Sequence, residues 1–467
     1  MSNFSRRNFL KLSAFTSAFF GLNSITPGKS TNEINDIIEE LATTPAAKGK
    51  SVIGLKVAPI KQVRVAMIGL GNRGSGIIEL VNALAPDKAT LVAICDIQKK
   101  KVDEAVAIIN KTTSGQKPDL YFGKKDSWKE MVKRDDIDLV IICTPWEDHT
   151  PMSVFSMKNG KHVACEVPIA LTLEEAWLLV DTAEQTQKNC MMMENVCYGD
   201  EELWVLNMVK NGVFGELTYG EAAYIHDLRE LNFSETYYYD FWRIKHHEST
   251  DGNLYPTHGL GPVAQYMDIN RGDKFDHLVS MSTLQAGMTE YAKTVDPKNP
   301  YYKKTKFRHG DMNYSMIKTN KGRVIIVEHD VVTPRPYNRI NMLAGTKAFH
   351  VGYPSRLSIE PNGHSYLKQP EYKEYRDKYN HPIWARLKNE IEKYGGHGGM
   401  DFVMIYRLID CLNQGVPLDI DIYDGAAWSA VTPLSTKSLE LGNNSVKFPD
   451  FTRGKWKETR DLGILTL

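Results

Sequence analysis

The chain lacks net charge, because its 467 residues contain 57 Lys and Arg and 57 Asp and Glu. A protein without a net positive charge has no overall field that attracts nucleic acid or an anionic membrane. The sequence therefore predicts no nucleic-acid partner and favours a compact, uncharged ligand. Internal repeats and low-complexity tracts are also missing. With 42% hydrophobic and 24% charged residues, the composition is that of a globular protein.

Paired cysteine motifs are missing as well. The six cysteines form no C-x-x-C pair, and three of them end apolar runs of strand length. Cysteines in such positions are typical of buried free thiols, not of disulfides or metal ligands. His246, His247 and Glu248 could suggest a metal, but adjacent histidines in a strand point to opposite faces, and no third ligand is placed beside them. The sequence predicts no metal site.

Beyond the N-terminus, no apolar run is long enough to span a membrane. Ser5 to Lys11 reads Ser-Arg-Arg-Asn-Phe-Leu-Lys, the pattern of a twin-arginine export signal, and the mildly apolar segment from Leu12 to Ile25 follows it. We interpret residues 1–30 as a signal peptide and expect no integral membrane segment in the mature chain. The predicted location is periplasmic or otherwise exported. This route carries folded proteins, so a cytoplasmic cofactor can be loaded before export.

The strongest positive signal is a glycine motif. An apolar run of strand length precedes Gly69, Gly71 and Gly74, which have G-x-G-x-x-G spacing, and a helical pattern follows. In that context the glycines allow a tight turn, the close approach of a diphosphate and close packing of helix on strand. Asp96 ends the next apolar run, where a carboxylate accepts hydrogen bonds from the adenosine ribose. The motif predicts NAD, and the lysines at 99–101, which could attract a 2′-phosphate, leave NADP as the alternative.

The apolar patterns predict an α/β protein with two different sheets. Strands and helices alternate from Val63 to Glu194, which is typical of a doubly wound parallel Rossmann sheet. After about Tyr198, strands follow one another without helices, which indicates an α+β domain with a largely antiparallel open sheet. We expect its open face to lie against the dinucleotide domain. The predicted divisions are a signal peptide (1–30), a polar N-terminal arm without a sustained period (31–60), an NAD-binding domain (61–197) and a substrate-binding domain (198–467).

Several motifs beyond the glycine turn carry a family resemblance. Cys143-Thr-Pro145 with His149, Glu166-Val-Pro168 and His397-Gly-Gly-Met-Asp401 resemble the glucose-fructose oxidoreductase-like sugar dehydrogenases. Typical members have Glu-Lys-Pro where this chain has Val167 in the middle position, and that lysine assists proton transfer from the substrate hydroxyl. Its loss speaks against net dehydrogenation. An NAD-dependent sugar or cyclitol dehydrogenase is nevertheless an alternative, and a non-enzymatic sugar- or dinucleotide-binding protein is a second one.

A closer resemblance covers the chain from about Lys61 to the C-terminus. It is to glycoside hydrolase family 109, the NAD-dependent α-N-acetylgalactosaminidases. Many separate motifs in order make it more specific than the glycine turn alone. They are Asn195-Val-Cys-Tyr198, His226-Asp-Leu-Arg229, Trp242-Arg243, Gly252-Asn-Leu-Tyr-Pro-Thr-His-Gly-Leu-Gly-Pro262, Asp268-Ile-Asn-Arg271 and Arg335-Pro-Tyr-Asn338.

The resemblance implies hydrolysis of terminal α-linked N-acetylgalactosamine from a small molecule or glycan. Most glycosidases use two carboxylates, and NAD-dependent enzymes are an exception. In that exception NAD takes a hydride from C3, the resulting ketone acidifies the C2 proton, the group on C1 is eliminated, water adds and the hydride returns. Net hydrolysis consumes no NAD. A homo-oligomer is compatible with all of these features.

The elimination path needs proton carriers more than a carboxylate nucleophile. We assign general acid or base work to His258 and an assisting role to Tyr255. The resemblance implies further contacts to NAD and to the sugar. The NAD contacts are Gly69, Gly71, Asn72, Arg73, Asp96, Trp146, Glu147, Asp148, His149, Glu166, Val167 and Asn195; the sugar contacts are Tyr224, Arg243, Tyr255, Pro256, Thr257, His258 and Tyr337.

Replacing Arg6 and Arg7 together by Lys tests the export signal. We expect active, NAD-loaded protein to stay in the cytoplasm, because the fold would be complete while the signal would not be recognised. Cell fractionation, followed by measurement of activity and bound NAD in each fraction, checks this against the unaltered chain. A double variant that still reaches the periplasm contradicts the twin-arginine interpretation.

Overall fold

Two β-sheets organise the computed structural model, which describes residues 31–111, 115–361 and 364–466. The predicted signal peptide, with Arg6 and Arg7, lies outside the described residues. Among the helices of the described residues, none combines the length and the apolar character needed to cross a bilayer. All six cysteines are free, as predicted, and five of them are buried.

The first sheet is wholly parallel. Its strands are β1 (Val63–Ile68), β2 (Ala89–Asp96), β3 (Asp119–Phe122), β4 (Leu139–Ile142), β5 (His162–Cys165) and β6 (Cys190–Met192). Apolar runs such as β4 are buried along their whole length, as expected for a sheet covered on both faces. In the order β3-β2-β1-β4-β5-β6, the strands after β1 are added first on one side of it and then, from β4 on, on the other side. This confirms the Rossmann prediction and places a ligand crevice at the carboxyl ends of these two strands.

Helices connect the parallel strands, and one more helix precedes them. The polar arm predicted for residues 31–60 begins with that helix, so the expectation of no sustained period was wrong there. Ile34, Ile37, Ile38 and Leu41 recur at helical spacing and pack against the core. The period spans only three turns, which makes it easy to miss in a polar segment. The helices of this part are α1 (Thr31–Leu41), α2 (Asn72–Ala83), α3 (Lys99–Asn110), α4 (Ser127–Val132), α5 (Trp146–Lys158) and α6 (Leu173–Thr186).

The second sheet contains eight strands within the described residues. They are β7 (Leu217–Ile225), β8 (Phe275–Ser282), β9 (Met312–Thr319), β10 (Val324–Asp330), β11 (Met342–Gly345), β12 (Ala348–Val351), β13 (Arg356–Ile359) and β14 (Val446–Lys447). The order is β13-β12-β11-β7-β10-β9-β8-β14, and only the pair β7 and β10 is parallel. The sheet is therefore mixed but largely antiparallel, as predicted.

The helices of this part of the chain lie before, between and after its strands. They are α7 (Asp200–Lys210), α8 (Arg229–Asn232), α9 (Trp242–Ser249), α10 (Thr257–Tyr266), α11 (Gly287–Ala292), α12 (Gln369–Tyr379), α13 (Pro382–Arg386), α14 (Lys388–Tyr394), α15 (Met400–Gln414), α16 (Ile422–Ser429) and α17 (Val431–Glu440), with short 3-10 turns at Asn195–Tyr198, Tyr239–Phe241, His397–Gly399, Lys455–Lys457 and Gly463–Thr466. Helices α10 and α17 pack on β7 and β8.

The open face of the second sheet does not lie against the dinucleotide domain, contrary to expectation. Met281, Tyr314 and Met316 on this face of β8 and β9 are exposed, whereas Leu278 and Ile317, which point the other way, are buried. Helices cover the buried face. In addition, α10 contacts the 3-10 turn at Asn195–Tyr198, and α16 contacts α6 and β6. The helices thus come between the two sheets, because alternation along the strands leaves only one face apolar enough to be covered.

Close packing of α10 on β7 depends on glycine. A Cβ on Gly259 would lie 2.3 Å from the backbone nitrogen of Ala223, and one on Gly220 would lie 2.7 Å from the side chain of Val263. Contacts this short cannot exist, so only glycine lets the helix approach the strand so closely. Because His258 precedes Gly259 in the first turn of α10, the same approach sets how far the imidazole reaches past the end of β7.

Replacing Gly259 by Ala is expected to lower the free energy of unfolding by about 1–3 kcal/mol, the usual cost of forcing an extra methyl group into a packed interior. Urea unfolding followed by circular dichroism measures the change. Gly76→Ala is the matched control: no atom lies within 4 Å of the added Cβ, and Ala in a helix stabilises by roughly 0.5–1 kcal/mol. Equal unfolding midpoints for the two variants would contradict the packing argument.

Candidate active site

A cleft of about 1060 Å³ opens at the carboxyl ends of the parallel strands and continues to the end of β7. Its volume exceeds the range of about 300–1,000 Å³ common for pockets that hold one small molecule. The dinucleotide turn forms one end, and His258 lies at the other. Most residues predicted for the cofactor and the sugar line this one cleft: Gly69, Gly71, Asn72, Arg73, Asp96, Trp146, Asp148, His149, Glu166, Val167, Asn195, Tyr224, Arg243, Tyr255 and His258.

Four predicted site residues do not line the cleft wall. Glu147 in α5 has its Oε1 atom 3.1 Å from Nε2 of His246 instead. Pro256 and Thr257 are buried at the start of α10. Tyr337 is 41% exposed and packs edge-on against the ring of His226 at 5.0 Å. The structure therefore does not bring these four to the cavity, although Tyr337 reaches its rim through that ring contact.

The three glycines of the turn each meet a different steric requirement. Gly69 has φ +86°, and a Cβ there would lie 2.6 Å from the carbonyl group of Cys143. A Cβ on Gly74 would lie 2.0 Å from the carbonyl oxygen of Gly69, so only glycine lets α2 pack this close to the strand. A Cβ on Gly71 would meet no atom within 4 Å. The backbone at Gly71 is thus open to the cleft, where a ligand can approach it.

The first turn of α2 offers backbone donors to an anion. No side chain caps the helix at Gly71, so the N–H groups that begin the helix keep their hydrogen-bonding capacity. A helix N-terminus of this kind is a site for phosphate groups. The space at Gly71 and the uncapped helix therefore fit a dinucleotide diphosphate.

Asp96 is held at the end of β2 by two backbone hydrogen bonds. Its Oδ2 accepts from the N–H of Leu70 and its Oδ1 accepts from the N–H of Gln98, both at 2.8 Å. Each carboxylate oxygen keeps a second lone pair, so the group can still accept from two ribose hydroxyls. Of the three lysines that raised the alternative of NADP, Lys99 has its ammonium 2.7 Å from Asp103 and Lys101 has its ammonium 2.8 Å from Glu104.

Arg73 is the centre of a charged network in the middle of the cleft. Its Nε donates to Glu166 Oε1 and a terminal nitrogen donates to Asp401 Oδ2, each at 2.6 Å. The other oxygen of Asp401 accepts from the Asn195 amide at 2.7 Å, and Nδ1 of His397 lies 2.6 Å from Oδ2. Asp401 was visible in the sequence only as the end of a motif, and no local signal linked it to Arg73.

Burial and charge act in opposite directions in this network. Burial disfavours the Arg73 cation, but the two carboxylates outweigh it and raise the pKa of Arg73 well above its ordinary value. Burial likewise disfavours the charged form of Asp401, yet the hydrogen bond from His397 and the Arg73 guanidinium lower the pKa of Asp401. Both groups therefore stay charged across the physiological pH range.

His258 is oriented by a buried carboxylate that the sequence analysis did not assign to the site. Its Nδ1 lies 2.7 Å from Oε1 of Glu194, a residue just after β6 that is fully buried. The same oxygen accepts from the N–H of Val196 at 3.1 Å. Because a carboxylate only accepts, Nδ1 of His258 donates and Nε2 is the nitrogen left for the cleft. The only sequence signal for Glu194 was its place at the carboxyl end of a parallel strand.

An aromatic box surrounds the guanidinium of Arg243. The group lies 5.0 Å from the ring centres of both Trp146 and Tyr255, and it donates to the hydroxyl of Tyr238 at 3.0 Å. The ring of Tyr255 also meets that of His258 edge-on at 4.9 Å. No carboxylate of the described residues forms an ion pair with Arg243. Its remaining N–H groups are therefore available to oxygen atoms of a ligand.

Tyr224 and His226 form another pair on the cleft wall. Oη of Tyr224 lies 3.0 Å from Nδ1 of His226, and both residues line the cavity. Burial and the nearby Arg243 and His258 side chains lower the pKa of His226. His226 was part of a motif in the sequence, but only the geometry of β7 brings its ring to the tyrosine.

The segment from His246 to Glu248 belongs to α9, so the strand assumed for it in the sequence analysis was wrong. His247 is buried against the ring of His309 at 4.8 Å, and His246 faces Glu147. In the described ranges of the chain, no group of three or more His, Cys, Asp or Glu side chains is arranged to hold a metal ion.

Comparison with known proteins adds the family. Residues 198–458 match a family model described as glycosyl hydrolase 109, C-terminal domain. The chain belongs to the glycosyl hydrolase 109 family. Residues 63–194 match a second model, described as an oxidoreductase family with an NAD-binding Rossmann fold. Both resemblances found in the sequence are thereby confirmed, and the N-terminal part of this glycosyl hydrolase 109 chain is an NAD-binding domain.

Relatives match the glycosyl hydrolase 109 chain along its full length. It is 50% identical to glycosyl hydrolase family 109 protein 1 of Shewanella sp. strain MR-4, with complete coverage of both proteins. It is 49% identical to an alpha-N-acetylgalactosaminidase of Shewanella oneidensis strain MR-1, again with complete coverage of both.

Solved structures share the fold at low identity. Levoglucosan dehydrogenase in complex with NADH and levoglucosan has a TM-score of 0.63 at 18% identity, covering 83% of this chain and 100% of that one. An inositol dehydrogenase homolog from Azotobacter vinelandii, complexed with NADH and myo-inositol, has a TM-score of 0.57 at 17% identity, covering 86% and 100%. These likenesses show that the glycosyl hydrolase 109 chain has the two-domain fold of such dehydrogenases.

Gly71→Val tests the cofactor cradle. The added side chain would enter the space that a diphosphate needs, so we expect the purified variant to carry little or no NAD. Its backbone φ of −67° suits any residue, so the fold should persist. Mass spectrometry of the denatured protein measures released NAD, and circular dichroism controls for folding. A folded variant with one NAD per chain would show that the diphosphate lies elsewhere.

Proposed function

We propose that the protein hydrolyses terminal α-linked N-acetylgalactosamine and recycles a bound NAD in every turnover. The family and the full-length similarity to a protein named alpha-N-acetylgalactosaminidase support this substrate. The observation that carries the mechanism is that three carboxylates in and behind the cleft already have partners. Glu166 and Asp401 both bind Arg73, and Glu194 binds His258. Since these three groups are already engaged, a catalytic histidine fits the cleft better than a two-carboxylate mechanism.

NAD bound in the cleft would supply reversible hydride acceptance at C3 of the sugar, with the proton of the C3 hydroxyl released to water and recovered at the end, and the C3 ketone would make the C2 proton acidic in between. The chain's own residues supply binding and proton transfer. Val167 is 3% exposed and has no proton to give or take, so the lysine-assisted chemistry of the sugar dehydrogenases is missing. The residues proposed to hold the cofactor are Gly69, Gly71, Asn72, Arg73, Asp96, Trp146, Asp148, His149, Glu166, Val167 and Asn195.

His258 is proposed to act at the glycosidic oxygen. With Nδ1 held by Glu194, its Nε2 atom faces the cleft and can donate a proton to the departing oxygen, then accept one from the attacking water. The carboxylate stabilises the positive charge that the ring carries as an acid. Tyr255, edge-on to His258, helps to close the site around the sugar. Arg243 supplies donors for the oxygens of the sugar from its aromatic box.

Incubation with a chromogenic α-N-acetylgalactosaminide and no added NAD tests the proposal. We expect the aglycone to appear without net accumulation of reduced cofactor, because each hydride is returned. An ordinary dehydrogenase would instead reduce added NAD stoichiometrically when given a free sugar. If other α-glycosides are cleaved while this one is not, the proposed substrate is wrong.

His258→Ala is expected to lower turnover by roughly 10²-fold to 10⁴-fold, the usual contribution of general acid-base catalysis. The content of NAD should not change, because His258 lies in α10 and away from the dinucleotide turn. A nitrophenyl leaving group should partly restore the rate, since it needs little protonation. His277→Ala, at a partly exposed histidine of β8, is the matched control. Wild-type rates on both good and poor leaving groups would move this role to the tyrosines.

A further inference from the structure

The end of β7 holds two cleft residues in a fixed relation. Tyr224 and His226 are two positions apart, so both side chains project to the same side of the strand. Pairing of β7 with β10 and a hydrogen bond from the His226 N–H to the Asp330 carbonyl at 2.9 Å fix the backbone there. The backbone of the sheet therefore holds Tyr224 Oη and His226 Nδ1 in contact at 3.0 Å.

This pair faces the catalytic histidine. The ring of Tyr224 meets the ring of His258 edge-on at 5.3 Å and lies 4.6 Å from that of Tyr255. Because the rings of Tyr224 and His258 are in contact, a bound sugar would lie against both rings and not between them. The cleft thus contains two separate groups that can carry a proton. One is His258, which contacts Glu194, and the other is Tyr224, which contacts His226.

The proposed function, on which this inference rests, needs two carriers. Elimination removes the C2 proton while the oxygen on C1 must gain one. Glu194 occupies Nδ1 of His258, so this ring has only Nε2 to offer. A single nitrogen cannot take a proton from carbon and give one to oxygen in the same step. The C2 proton therefore needs a second group of the cleft.

The environment of the pair suits this task. Burial raises the pKa of Tyr224, although the Arg243 guanidinium beside its hydroxyl acts in the opposite direction. A free tyrosinate is therefore rare, and the hydroxyl needs a neighbour that can take its proton. Burial and nearby cations lower the pKa of His226, so its ring is neutral and Nδ1 can accept. The charged or titratable groups that face His226 are Arg243 of α9, His258 of α10, Asp227 beyond β7, His397 before α15, and the hydroxyls of Tyr224 and Tyr337.

We propose that Tyr224 is the catalytic residue at C2 and that His226 is the positioning residue that holds its hydroxyl and stores its proton. In the elimination the C2–H bond breaks and its proton goes to Oη of Tyr224, whose own proton passes to Nδ1 of His226. The electron pair of that bond forms the double bond between C1 and C2, the bond from C1 to the leaving oxygen breaks, and this oxygen takes a proton from His258.

The addition reverses these transfers. Water attacks C1 and gives a proton to His258, while C2 recovers a proton from Tyr224, which His226 then restores. Every residue returns to its starting state. The net reaction is hydrolysis, with no oxidant or reductant beyond the recycled cofactor.

Exchange of the C2 hydrogen with deuterated solvent tests the pair, with 4-nitrophenyl α-N-acetylgalactosaminide as substrate and mass spectrometry of the sugar as readout. We expect Tyr224→Phe and His226→Gln to lower the exchange rate by roughly 10²-fold or more. Hydride transfer at C3 should persist, so reduced cofactor should accumulate and absorb in the near ultraviolet. His277→Gln, a histidine of β8 distant from the cleft, should exchange like the wild type.

The pH dependence of C2 exchange shows whether His226 takes up the proton of Tyr224 or only holds the tyrosine in place. The pair works while His226 is neutral, which holds above its pKa; this pKa lies below the ordinary value of about 6.5. Exchange by the wild type should therefore persist at neutral pH and decline only at a pH below the ordinary value, as the ring of His226 becomes charged, whereas the residual exchange of His226→Gln should lack this decline.

The outcomes distinguish the pair from the proposed function. Wild-type exchange in both variants would refute the pair while leaving the glycosidase intact. Exchange that falls only in proportion to lost NAD would assign the two residues a structural role and would also overturn the proposal. A wild-type protein that releases no nitrophenol refutes the proposed function, and the pair with it. Aglycone release by the wild type, with exchange lost in both variants at full NAD content, supports both.

Discussion

The Arg73 guanidinium, placed between two carboxylates, is the interaction on which the cleft depends. It ties the first turn of α2 to Glu166 at the end of β5 and to Asp401 at the start of α15. These contacts join segments of the chain that are 93 and 328 residues apart. Removing one partner of such a buried pair typically costs about 3–5 kcal/mol, because a charge is left without compensation. Arg73 therefore links the dinucleotide turn to the start of α15.

The same ion pairs shape the chemistry. A carboxylate that accepts from a guanidinium at 2.6 Å is a poor nucleophile, because its charge is already stabilised where it stands. The network thus gives Glu166 and Asp401 a structural role, and in the proposed mechanism the histidines carry the protons. Glu194 follows the same principle, since its contact with His258 orients the ring instead of attacking a substrate.

The sequence predicted those parts of the structure that residues close together in the chain specify. The glycine spacing and Asp96 indicated the dinucleotide end because a turn and two strand ends specify it within thirty residues. Glu194 and His258 are 64 residues apart and belong to different elements, so no spacing linked them. His226 appeared only within a motif, because nothing in the sequence shows that its ring meets the Tyr224 hydroxyl. The helix α1 was missed because its apolar period is short. Val167, conversely, was informative from sequence alone, since the absence of a side-chain proton needs no coordinates.

Two imidazoles in one cleft can do different work only if their surroundings differ. His258 has a buried carboxylate behind it, which binds Nδ1 and leaves Nε2 for the cleft, where the proposed mechanism needs a proton donor. His226 has Arg243 and His258 nearby and a tyrosine hydroxyl at Nδ1, which favours a neutral ring and suits a proton acceptor. The division into acid and base therefore comes from placement and not from residue type. Because Gly259 lets α10 approach β7, the two rings share one cavity, and their separate environments persist within a few ångströms.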